Sequence, residues 1–207
     1  MQTETFTAKL FSVVFHPLLI PTWAYLGLIT QGNLILLRIP FNLTWTLAGL
    51  IFMTSFLFPT LIIVLMLRFK MISSLAMPLR SERIGPLIVT AIFFFMTYYL
   101  LKQLQIAPIV YLYMLGATLL TVVSSAITLW WKISLHMVGI GALAGGYAGL
   151  SILSPDNFSL LLVISLLIAG LTGTARLLLS AHKPAEVYIG FTTGASLMFA
   201  LFMLVGT

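Results

Sequence analysis

The sequence predicts an all-α membrane protein: a polytopic helical bundle of about seven transmembrane helices, forming a single domain over residues 1–207. Three observations predict it. The chain is 61% hydrophobic and only 7% charged, with a mean hydropathy of +1.16. A soluble domain carries about 25% charged residues, so these side chains cannot cover a water-facing surface and the solvent is lipid. The apolar stretches are continuous rather than alternating in short segments, which excludes a β-barrel and leaves helices. Seven such stretches stand between polar breaks, each near or above the roughly 20 residues that a helix needs to cross the hydrocarbon.

In order, the first span covers about 10–30, from Lys9 to Gln31-Gly32-Asn33, and the second about 44–67, closed by Arg68 and Lys70. The third runs over about 86–101, ending at Lys102-Gln103, and the fourth over about 107–131, ending at the boundary pair Trp130-Trp131. The fifth follows Lys132 and reaches about 153, where Ser154-Pro155-Asp156-Asn157 forms a turn. The sixth is about 158–175 and the seventh about 187–205. The first segment lacks a basic start and a small-residue cleavage site, so it is expected to be a span rather than a signal peptide. No polar interval is long enough for an extramembrane domain, and no internal repeat stands out.

Other function classes fall away on composition. There is no cysteine, which excludes disulfides, thiolate metal sites and a cysteine nucleophile. The formal charge is +6, but the basic residues are scattered between apolar runs with no face to follow a phosphate backbone, so no nucleic-acid partner is expected.

Parity of the spans sorts the charges. Segments 80–86, 132–136 and 176–186 all fall on the side of the N-terminus, with Lys9, Arg68 and Lys70, whereas Arg38, Lys102 and Asp156 fall on the other. Charges at a membrane boundary are either anchors or function. Arg68 and Lys70 flank a span and are expected to be anchors. The grouped residues include histidines and carboxylates, which do not anchor, and are expected to form a site. Setting aside the grouped residues, the lone cations divide almost evenly between the faces, so orientation stays open. The expected location is a bacterial inner membrane.

The chemistry is densest in Arg176-Leu-Leu-Leu-Ser-Ala-His182-Lys-Pro184-Ala-Glu186. Pro184 suits the first turn of a helix, so His182 precedes a helix N-terminus whose free amides favour an anion. Glu186 in that turn can reach back to one imidazole nitrogen, fixing the tautomer and leaving the other free to attack. Arg176 is a nearby cation for phosphate oxygens.

This spacing resembles the third motif of the type 2 phosphatidic acid phosphatase superfamily, membrane phosphatases related to vanadium haloperoxidases. Gly190 and Gly194 follow the family's habit of glycines in the final helix. Ser134-Leu135-His136 resembles the second motif and Arg80 through Pro86 a reduced first motif, in the family's order over roughly residues 80–194. The resemblance implies that His182 is the nucleophile, Glu186 its orienting carboxylate and His136 the general acid. Arg83, Arg176 and Ser134 would hold the phosphoryl oxygens. Position 76, where the first-motif lysine would fall, is alanine, so Arg80 or Lys132 would replace it. Leu135 replaces a glycine, Glu186 an aspartate and Ala175 a serine, and two residues separate Arg83 from its proline.

The implied activity is hydrolysis of a lipid phosphate or isoprenyl diphosphate through a phosphohistidine, with no metal and no cofactor. The alternatives are a non-catalytic relative that binds lipid phosphates, and a small transporter, which would show broken helices with polar residues near mid-membrane. Of the remaining features, His16 is expected to bond a backbone carbonyl near Pro17 and Pro21, though it could line the pocket. Gly141, Gly145 and Gly149 form a small-residue face for close packing within the bundle, with homodimerisation as the other possibility. The phenylalanines at 93–95 and the methionines are expected to be lipid contacts or filler, and Asp156 simply loop.

Overall fold

Proline decides where the first two spans break. In the computed structural model α1 (Gln2–Val14) ends just before Pro17, whose ring removes an N–H and crowds the carbonyl four residues back. A 3-10 turn at Pro17–Leu19 follows and α2 (Ile20–Thr30) completes the span. In the second span α3 (Phe41–Phe52) and α4 (Phe58–Arg68) join through a π turn at Met53–Leu57, immediately ahead of Pro59. The wider turn absorbs the missing donor of that proline.

The other five spans are unbroken: α5 (Ile84–Gln103) behind a 3-10 turn at Arg80–Arg83, α6 (Pro108–Trp130), α7 (Leu135–Leu153), α8 (Ser159–Leu178) and α9 (Pro184–Val205). The structure describes residues 2–31, 39–154 and 157–205, without the side chains of 2–5 and 41. Among the described residues there is no strand, and seven helical stretches are long and apolar enough to cross a membrane. Their limits fall within a few residues of those read from the sequence. Gly32, Asn33, Arg38, Pro155 and Asp156 lie outside the described residues.

Burial ranks the spans. In α7, 67% of the apolar window is buried, against 17% for the span formed by α3 and α4, so α7 is the central helix and α3–α4 lies at the periphery. The outer faces carry exposed Leu61, Phe95 and Leu167, as a lipid-solvated surface should. This is an integral, multi-pass membrane protein.

The tightest contact is between α7 and α9, and glycine makes it possible. A Cβ at Gly141 would collide with the Phe191 carbonyl, one at Gly145 with the Ala195 carbonyl, and one at Gly194 with the Val138 carbonyl. The glycine face of α7 is therefore occupied inside the bundle, as expected from its spacing, and offers nothing to a second copy. Gly145→Val should accordingly lower stability by about 1–3 kcal/mol through overpacking. Gly170, with open space around it on α8, should accept alanine without loss. Thermal unfolding of both variants in detergent checks the pair, and equal behaviour would contradict this packing.

Candidate active site

The site is built outward from the start of α9. Pro184 opens the helix and Glu186 lies in its first turn, where a carboxylate interacts favourably with the helix dipole. Glu186 Oε2 accepts a hydrogen bond from His182 Nδ1 at 2.6 Å and another from the Lys183 amide at 3.3 Å. Both side chains are buried, His182 at 9% exposure and Glu186 at 6%. A carboxylate only accepts, so Nδ1 carries the proton and the lone pair of His182 stands on Nε2.

α7 is tied to the same turn. The Ser134 amide donates to the Glu186 carbonyl at 3.2 Å, which sets His136, in the first turn of α7, beside the His182 loop. The His136 Nε2 proton is donated to the Ser12 carbonyl at 2.9 Å. Because a carbonyl cannot donate, the lone pair of neutral His136 is on Nδ1. Ser12, on α1, also accepts at its hydroxyl from Arg176 Nη1 at 3.3 Å, while Arg176 Nε is buried with no partner. A buried cationic N–H left unmet is an invitation to an anionic acceptor.

Arg83 and Lys132 complete the cationic set. Arg83 Nε donates to the Met77 carbonyl at 3.1 Å, and Lys132 Nζ to the Ala181 carbonyl at 3.1 Å. Arg83, Lys132, His136, Arg176 and His182 all line one cavity of about 620 Å³. Three segments distant in sequence thus converge as the parity of the spans required. Among the described residues no three His, Asp or Glu side chains cluster as a metal site would, and the positive charge of the cavity is that of two arginines and a lysine.

Not every residue singled out in the sequence arrives there. Arg80 is exposed, does not line the cavity, and donates from Nη1 to the Trp130 carbonyl at 2.6 Å, closing the end of α6. Of the two candidates to replace the first-motif lysine, Lys132 is the one on the cavity wall, as is Ala76 itself. Ser134 is fully buried outside the lining with its hydroxyl unpartnered, and its backbone docks α7 on α9. His16 lines the cavity, and rather than donating to a carbonyl its Nδ1 accepts the Leu18 amide at 3.4 Å, with its ring 5.5 Å from that of His136. Ser12 was missed by sequence reasoning. Its signal was a lone hydroxyl four residues before His16 in an apolar span.

Burial pushes the His182 imidazole down to about 4, with Arg176 and Arg83 adding to the effect and the Glu186 hydrogen bond opposing it. Burial likewise lowers Lys132, with the Arg83 guanidinium next in importance. His182 is therefore neutral at pH 7. An unfolded chain would protonate this histidine near 6.5, so its contribution to stability is complete above that pH. The contribution is lost as pH falls toward 4, the folded value.

Compared with known proteins, the chain matches no family model, no curated protein and no solved structure.

With three histidines in the chain, ¹⁵N-histidine NMR can assign each by single replacement. His182 should show a protonated Nδ1 and an unprotonated Nε2 at pH 6, and should titrate only near pH 4. Titration close to 6.5 would contradict this account of the site.

Proposed function

We propose that this protein is a metal-independent membrane phosphatase that hydrolyses a lipid phosphate or isoprenyl diphosphate through a phosphohistidine on His182. One observation carries the reading. A buried histidine oriented by Glu186, with Nε2 left free, shares a cavity with Arg83, Lys132, Arg176 and a second histidine. The resemblance of the third motif points the same way.

In this mechanism the three cations bind the phosphoryl oxygens and stabilise the charge that spreads over them in the transition state. His182 Nε2 forms a bond to phosphorus as the bond to the leaving oxygen breaks. Glu186 stays ionised and stabilises the positive charge that develops on the imidazole. The negative charge of the bound phosphoanion lets His136 take up a proton at Nδ1, since Nε2 is held by the Ser12 carbonyl, and that proton passes to the leaving oxygen. Water then attacks phosphorus and gives its proton to His136 Nδ1. The P–N bond breaks, phosphate departs and neutral His182 is restored. The setting that suits this activity is a bacterial inner membrane, whose lipids carry such phosphates at the water boundary.

A transporter would also explain a broken first span beside a cavity. The gathering of the cations at one end of the bundle favours the phosphatase, and phosphate release as opposed to uptake separates the two.

Purified protein should release phosphate from a lipid phosphate in EDTA, and His182→Ala should form no phosphoenzyme. His136→Ala should lose about 10²–10⁴-fold on a lipid monophosphate, whose alkoxide needs the proton, and much less on an activated aryl phosphate. Acid-labile label should still appear on that variant. Activity that needs added magnesium or zinc, or label on His182→Ala, would overturn the mechanism.

The arginines divide sharply. Arg176→Ala should cost about 10²–10³-fold in kcat/KM, as loss of a charged donor to the transition state does. Arg80→Ala, outside the cavity, should remain near the parent activity. Equal losses would mean that the cavity is not where the phosphoryl group binds.

A further inference from the structure

The cavity has two ends of opposite character, and the proposed reaction uses only one. Beyond the cations its walls are Leu87, Thr90 and Phe94 of α5 with Tyr113, Ala117 and Leu120 of α6. The hydroxyls of Thr90 and Thr121 each donate at 2.8 Å to their own helix, at Pro86 and Ala117, so these residues can present methyl groups to the chamber. Its charged lining residues are all at the first end: Arg83, Lys132, Arg176 and the histidines.

Two helices running in opposite directions give the same depth. Phe94 lies eleven residues beyond Arg83 along α5, and Tyr113 eleven residues before Ser124 along α6, about 16 Å in each case. Phe94 and Tyr113 are buried and are the farthest lining residues on their helices, so they form the floor. The cavity therefore ends about 16 Å from the cations.

We propose that the chamber measures the length of a hydrocarbon chain, so that the site takes a phosphoanion whose chain ends short of Phe94 and Tyr113 and binds longer chains more weakly. The proposal rests on reading the cationic end as a phosphoryl site. Its occupant is fixed by charge at one end, apolar walls beyond it, and a volume that closes at Phe94 and Tyr113. A straight acyl or alkyl chain and a short prenyl chain share this chemistry.

The test is binding of non-hydrolysable phosphonates to the purified protein in detergent, read by ligand-induced thermal shift. The probes are straight-chain alkylphosphonates lengthened by two carbons at a time and a prenyl phosphonate of three isoprene units. Affinity should rise with length until the chain spans the roughly 16 Å to the floor and then fall by about tenfold or more. Whichever of the alkyl and prenyl probes binds more tightly identifies the source of the chain.

Ala117→Phe should shift the cut-off to shorter chains, and Phe94→Ala should shift it to longer ones. If the larger residue at 117 prevents folding, the Phe94 variant carries the test. Affinity without a length cut-off, or a cut-off that the foldable variant does not move, would overturn the chamber. The phosphatase reading fails separately: a length cut-off without phosphate release from any lipid phosphate would keep the chamber and discard the enzyme. Phosphate release indifferent to chain length would do the reverse.

Discussion

The site depends on how closely α7 and α9 can approach. Side chains at Gly141, Gly145 and Gly194 would drive the two backbones apart. With glycine there, the helices meet closely enough for the Ser134 amide to reach the Glu186 carbonyl. That contact places one histidine at the start of α7 and the other just before α9. In lipid there is no hydrophobic gain from bringing helices together, so close van der Waals packing has to hold them. The glycines therefore do more than fill a tight space: they set the distance between two groups that would share one phosphoryl group.

The charges of the site are arranged at some cost. Arg83, Arg176 and Lys132 lie near one another at one end of the cavity, and each is partly satisfied by a neutral oxygen: the Met77 carbonyl, the Ser12 hydroxyl and the Ala181 carbonyl. Neutral acceptors keep the cations solvated without cancelling their charge, as a carboxylate would. The carboxylate present, Glu186, is engaged with His182 and the Lys183 amide. The net field in the cavity thus remains positive and adds to burial in keeping His182 neutral. An anion would bring relief to both.

The broken first span earns its irregularity in the same place. Unpaired backbone inside a bilayer is tolerated where it lines a cavity or is buried in protein. At the break after α1, His16 turns toward the cavity and caps the 3-10 turn, while Ser12 one turn earlier supports both His136 and Arg176. The N-terminal span is thereby drawn into the chemistry, although it carries none of the three motif-like segments.

The class of fold was legible in the composition, because a chain with so few charges can only be solvated by lipid, and the span limits were legible because polar residues are too costly to leave within them. The pairing of His182 with Glu186 was also legible: it is local, set by Pro184 and by the geometry of one helical turn. Parity alone brought the three charged segments to one face. Which members of those segments face the cavity was decided only in three dimensions. Arg80 and Lys132 are indistinguishable as isolated cations, and they part because the end of α6 captures Arg80 through the Trp130 carbonyl. Ser134, next to Leu135 and His136 on the cavity wall, is itself buried outside the lining. Ser12 leaves only a lone hydroxyl in an apolar span and the apolar chamber between α5 and α6 no local pattern, since contacts between spans depend on helix rotation and approach, which packing determines and sequence spacing does not.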